Sequence, residues 1–149
     1  LPQWWLFGQA EVNLGEGWGI HVGVRHPEFD SAQVNLASVT LERYFGSFRA
    51  AYTLYESWLA GAGASPAHRL QLTYYYGLAS QFGISYAEGR EVDNTGPPTG
   101  VMSSDVTSWI LSGRHWFNRQ WALSYEALEH KQGNMYTRHG VRLGLRHRF

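Results

Sequence analysis

Apolar and polar residues alternate with a period of two along nearly the whole chain, in segments longer than an ordinary soluble sheet uses. Trp18, Ile20, Val22 and Val24 interleave with Gly19, His21, Gly23 and Arg25. Leu70, Leu72, Tyr74 and Tyr76 alternate with Arg69, Gln71, Thr73 and Tyr75, and Phe82, Ile84 and Tyr86 with Gly83, Ser85 and Ala87. Near the end, Val141, Leu143 and Leu145 alternate with Gly140, Arg142, Gly144 and Arg146. A period of two places one set on each face of an extended strand, and helical spacing is sustained nowhere. Nine strands are predicted, over residues 3–14, 17–25, 32–44, 47–58, 67–77, 80–92, 104–117, 120–130 and 135–149. Most have about 9–14 residues, against ~5–6 for a typical soluble strand and ~9–11 for a tilted strand crossing a bilayer.

Composition agrees with that length. Charged residues make up 16% of the chain and aromatic residues 15%, whereas a soluble domain carries roughly 25% charged residues. The 149 residues suffice for one domain, with no linker or second domain visible. Twelve basic residues balance twelve acidic ones, so nothing points to nucleic acid. Cysteine is absent, which excludes disulfides and thiolate metal sites. No apolar run approaches the ~18 residues of a spanning helix. The chain opens at Leu1-Pro2 without a basic or apolar leader, as expected of a mature or truncated product.

Between the segments, longer and shorter connections alternate. Lys131 to Asn134, Asp93 to Ser103, Ala60 to Pro66 and His26 to Ser31 form the longer set; Asn118-Arg119, Leu78-Ala79, Phe45-Gly46 and Gly15-Glu16 form the shorter. Short turns on one side and long loops on the other are the habit of outer-membrane barrels. Trp4, Trp18, Phe48, Trp58, Tyr76, Phe82, Trp109, Phe117 and Trp121 lie near strand ends on the apolar face, as in the aromatic girdles at membrane interfaces. A soluble β core is the competing reading, but the opposite face is too polar to be the core of a second sheet.

That opposite face carries Gln9, Glu11, His21, Arg25, Glu42, Arg49, Arg69, Gln71, Arg114, Glu126, Arg138, Arg142, Arg146 and Arg148. In a closed barrel these are the lumen-facing candidates. Their charges must be paired or wetted, because an isolated buried charge costs several kcal/mol. An ion-paired interior that merely fills the barrel accounts for them most simply. A cationic, hydrated lumen that favours anions is the functional reading.

Catalysis finds little support. Glu126 and His130 are the nearest acid–base pair on one face, yet they lie ~13 Å apart along an extended strand. Ser103, Ser104 and Asp105 adjoin the longest loop without a motif that fixes their geometry. Gly15-Glu16-Gly17-Trp18-Gly19 has the glycines of a phosphate loop but no following helix or lysine, and reads as a tight turn. The chain is expected to be no enzyme and to hold no cofactor or metal. A soluble lipocalin-like barrel would need an apolar interior, which the arginines oppose.

Phe149 ends the chain, with Val141, Leu143 and Leu145 on its face. Such a strand with a terminal aromatic is the assembly signal that the barrel-assembly machinery reads in outer-membrane proteins. Five motifs then point to a family: Leu41-Glu42-Arg43-Tyr44-Phe45-Gly46-Ser47-Phe48-Arg49, Tyr74-Tyr75-Tyr76-Gly77, Gly89-Arg90-Glu91-Val92, Ser112-Gly113-Arg114-His115-Trp116 and the run from Tyr136 to Phe149. From about Trp18 onward the chain resembles the YaiO-type outer-membrane β-barrel family. The resemblance implies an outer-membrane barrel, sometimes behind helical repeats and near envelope-polysaccharide genes, and supplies no catalytic residues.

The expectation is an all-β, antiparallel up-and-down transmembrane barrel over residues 1–149, in a bacterial outer membrane, with a structural or pore role, supporting polysaccharide secretion. A barrel enzyme acting on lipid or peptide at the outer rim is the alternative. Outer-membrane lipid and the assembly machinery are the expected partners. Nine is odd, whereas single-chain bacterial barrels have even strand numbers. The chain is therefore expected to be part of a larger barrel, closed by at least one upstream strand or by another envelope protein.

Overall fold

The computed structural model describes residues 4–29, 32–59, 63–94 and 101–148. They form nine strands: β1 (Trp4–Gly15), β2 (Trp18–Phe29), β3 (Ala32–Phe45), β4 (Phe48–Leu59), β5 (Gly63–Tyr76), β6 (Ser80–Asn94), β7 (Val101–Trp116), β8 (Trp121–Gln132) and β9 (Tyr136–His147). There is no helix among the described residues. The strands lie in chain order in one sheet, each antiparallel to the next. Among the described residues β1 meets only β2 and β9 only β8, so the sheet is not closed.

Residues opposite one another in a ladder project to the same side, so the registers carry each face across the sheet. His21, Thr40, Thr53, Arg69, Ala87, Ser108, His130 and Arg138 form one row of the polar face. Ile20, Leu41, Tyr52, Leu70, Tyr86 and Trp109 lie on the other face. Burial is inverted relative to a soluble domain. Glu42, Thr53, Thr73 and Ser85 are buried on the polar face, while Leu70, Val141, Leu143 and Leu145 of the apolar face are 56%, 79%, 71% and 73% exposed. Each strand contacts only its sequence neighbours, so among the described residues no second layer covers that face.

The apolar face is an oblique stripe. Its upper limit is Val24 on β2, beyond which comes His26; on β9 it is Val141, beyond which come His139 and Thr137. The row through Val22, Val39 and Leu54 continues into His68, Glu88, Thr107, Lys131 and Thr137. The row through Ile20 stays apolar as far as Trp109 and then meets Glu129 and His139. The limit thus falls by about six residues, ~20 Å, over about seven strand spacings, ~34 Å, which is an inclination of roughly 30°.

Several expected boundaries shift. The β2–β3 ladder continues to Phe29 opposite Ala32, leaving only residues 30–31 between the strands, and β5 begins at Gly63 rather than at residue 67. Pro27 and Pro66, which read as loop residues, stand opposite Trp5 and Glu56 within strands. A proline lacks a donor toward one neighbour but keeps its carbonyl and an extended φ, so it fits where one ladder bond is dispensable. The alternation of loop lengths is correspondingly weaker than expected: residues 133–135 separate β8 from β9, while residues 117–120 separate β7 from β8. Only the segment around Gly96-Pro97-Pro98 is long, and residues 95–100 lie outside the described ones. The glycine run at residues 15–17 is a tight turn, with φ of 86°, 51° and 81° at Gly15, Glu16 and Gly17.

Candidate functional site

Charge concentrates on the polar face in two places. The first spans β1 to β5. Glu42 lies opposite Gly19, which has no side chain, and a Cβ there would approach Glu42 Oε1 to 3.2 Å. The carboxylate folds into that space. Its Oε2 accepts from Arg49 Nε at 2.7 Å, and its Oε1 lies 2.9 Å from His21 Nε2. The contact to His21 is close enough for an ion pair, but Nε2 is buried without a well-aligned hydrogen bond, so it is electrostatic rather than directional. Arg49 Nη1 donates to Gln71 Oε1 at 3.2 Å, and Glu11 Oε2 lies 3.6 Å from His21 Nδ1. The chain Glu11–His21–Glu42–Arg49–Gln71 crosses five strands.

Donor atoms of Glu11, His21 and Glu42 lie within 4.8 Å of one another, which brings a divalent cation into consideration. The two carboxylates approach different ring nitrogens of His21, and Arg49 already holds Glu42. A cation there would have to share Glu42 with the Arg49 guanidinium, whose positive charge opposes it. The arrangement is a chain of polar contacts around one ion pair, Glu42–Arg49.

The second concentration lies on β7 to β9. Arg114, Arg142 and Arg146 surround a cleft of about 330 Å³, with Gln81 and Glu126 at its sides and Ser112 and Ser124 among its lining residues. Arg142 Nη1 and Glu126 Oε1 are 3.9 Å apart, and the Arg142 side chain is 82% exposed. Arg114 Nε is buried and has no hydrogen-bond partner among the described residues.

The other polar-face candidates stand apart from both. Arg25 lies over the Phe7 ring at 5.7 Å, and Arg138 over Tyr136 at 5.6 Å. Arg69 is half-buried between Thr53 and Ala87 in register. Val141, Leu143 and Leu145 occupy the apolar face, and Phe149 lies outside the described residues. Asp105 forms an exposed 3.5 Å pair with Arg90, and Ser104 Oγ accepts from Gln132 Nε2 at 2.9 Å.

One contact is invisible in the sequence. Ser108 Oγ lies 2.7 Å from His130 Nδ1, across 22 residues of chain. Only the β7–β8 register brings them opposite. Among the described residues no carboxylate forms an ion pair with His130.

No known protein family, no curated protein and no solved structure matches this chain.

Proposed function

We propose that these strands are the wall of a β-barrel in a bacterial outer membrane, with the apolar face against lipid and the polar face lining a charged lumen that serves a pore or export role. The oblique apolar stripe carries this reading. A single-layer sheet with leucines more than half exposed has no stable place in water. Lipid satisfies it, and the roughly 30° inclination of the stripe approaches the ~35–45° strand tilt of membrane barrels. Trp18 and Trp121 lie near the short turns, Trp58 near the far end of β4, and Trp109, mid-strand in β7, at the upper limit of the apolar stripe there, which suits the two interfaces. The resemblance to YaiO-type barrels adds polysaccharide secretion as the process served. In this reading the barrel is no enzyme and is inserted by the barrel-assembly machinery.

Odd strand number and two open edges belong to the same reading. β1 and β9 run in the same direction, so direct pairing would be parallel in an otherwise antiparallel sheet. Unpaired backbone in hydrocarbon costs several kcal/mol per group. Antiparallel closure would take a strand that runs opposite to both β1 and β9. Reconstitution tests the proposal: the protein should fractionate with outer membranes, resist extraction by urea, and give discrete conductance steps in planar bilayers. Recovery in the soluble fraction would overturn it.

The second reading, a rim enzyme, has one observation in its favour, the Ser108–His130 contact. A fluorophosphonate probe that labels the folded protein at Ser108 would support it.

A further inference from the structure

We propose that the cleft formed by Arg114, Arg142 and Arg146 is a binding site for an oxyanion, the carboxylate or phosphate substituent of an acidic oligosaccharide. The proposal rests on the reading of the polar face as a lumen and names what that lumen recognises. Three guanidiniums meet one carboxylate, Glu126, which approaches only Arg142 and only to 3.9 Å. Among the described residues no ion pair involves Arg114 or Arg146, so the cleft keeps a net positive charge. The residues beneath them are small. Ser124 stands between Arg114 on one side and Gly144 on the other, and Ser112 stands opposite Glu126. Short side chains in these positions suit a cleft of about 330 Å³, which the three arginines also line.

That volume is at the small end of ligand pockets, enough for a phosphate or one uronic acid residue. Arginine offers planar, forked donors that match either oxyanion. Arg114 Nε is buried and has no hydrogen-bond partner among the described residues, so this guanidinium is not already committed to a protein acceptor through that atom. Arg142 and Arg146 remain exposed beside it and can close over a ligand. The Glu11–His21–Glu42–Arg49 chain differs in that its single guanidinium already donates to a carboxylate, Glu42, at 2.7 Å.

Calorimetry on the protein folded in detergent micelles tests the site apart from any pore activity. Trigalacturonate should bind and neutral maltotriose should not. Inorganic phosphate should compete, showing that the oxyanion rather than the sugar is recognised, and a failure of phosphate to compete would overturn the oxyanion assignment. Arg146→Gln, at an exposed position, should weaken trigalacturonate binding roughly tenfold, Arg114→Gln at least as much, and Glu126→Gln should strengthen it. Affinity should fall steadily with added salt. Equal binding of the charged and neutral trisaccharides, or wild-type affinity in Arg146→Gln, would overturn the proposal. Conductance recorded separately reports on the pore, so a sealed barrel that binds trigalacturonate would remove the export role and keep the site.

Discussion

Glu42 keeps only 7% of its side chain exposed, between an imidazole and a guanidinium. Removing one member of a buried charge set leaves its partners uncompensated, which costs more than the intact set contributes. Glu42→Leu is therefore expected to lower stability by roughly 3 kcal/mol. Arg90→Ala breaks a pair whose members are 66% and 83% exposed and should change stability by less than ~1 kcal/mol. Urea unfolding in detergent micelles, followed by tryptophan fluorescence, separates the two; similar midpoints would contradict this account of Glu42. Gly17 sets a second residue-scale constraint. Its φ is +81°, and a Cβ there would run into the carbonyl of Tyr44, whose N–H donates to Gly17 at 2.7 Å. Gly17→Ala should cost more than ~1 kcal/mol, while Gly8→Ala, whose Cβ would only touch Val24, should be nearly neutral. A neutral Gly17→Ala would mean that this turn differs from the one described.

At the scale of the strand, β9 offers the sharpest contrast. Leu143 lies on the exposed apolar face and Arg142 on the polar one, one residue apart. If the apolar face meets lipid, a charge near the midplane costs ~2–4 kcal/mol. Leu143→Arg should then impair insertion into liposomes far more than Arg142→Leu, and comparable insertion of both would reject the assignment of faces. If the chain is assembled as a barrel, deleting Phe149 should slow assembly in cells without altering the stability of the folded sheet; assembly at the parent's rate would refute its role as a signal. Strand identity and facing were legible because alternation is a local property. Strand ends were not: Pro27 and Pro66 mark turns in most contexts, and only the neighbouring strands decide that a missing donor is tolerable there.

The sheet as a whole has two free edges, and its stability should be graded accordingly. Amides of β3 to β7 lie between two neighbouring strands, whereas β1 and β9 each have a neighbouring strand on one side only among the described residues. Hydrogen exchange of residues 1–149 in micelles should therefore be fastest in β1 and β9, and a further antiparallel strand that closes the sheet should slow both together. Equal protection of edges and centre in the isolated chain would mean that the sheet closes on itself. By itself the sequence determined an all-β antiparallel architecture, the number of strands and which side chains share a face, since a period of two acts residue by residue along each strand. Only the tertiary structure decided which groups meet. Glu42 with His21 and Arg49, Ser108 with His130, and the three arginines around one cleft all depend on register between strands. Register also tilts the apolar stripe and leaves the edges open. It arises from the joint packing of neighbouring strands, which no single segment encodes.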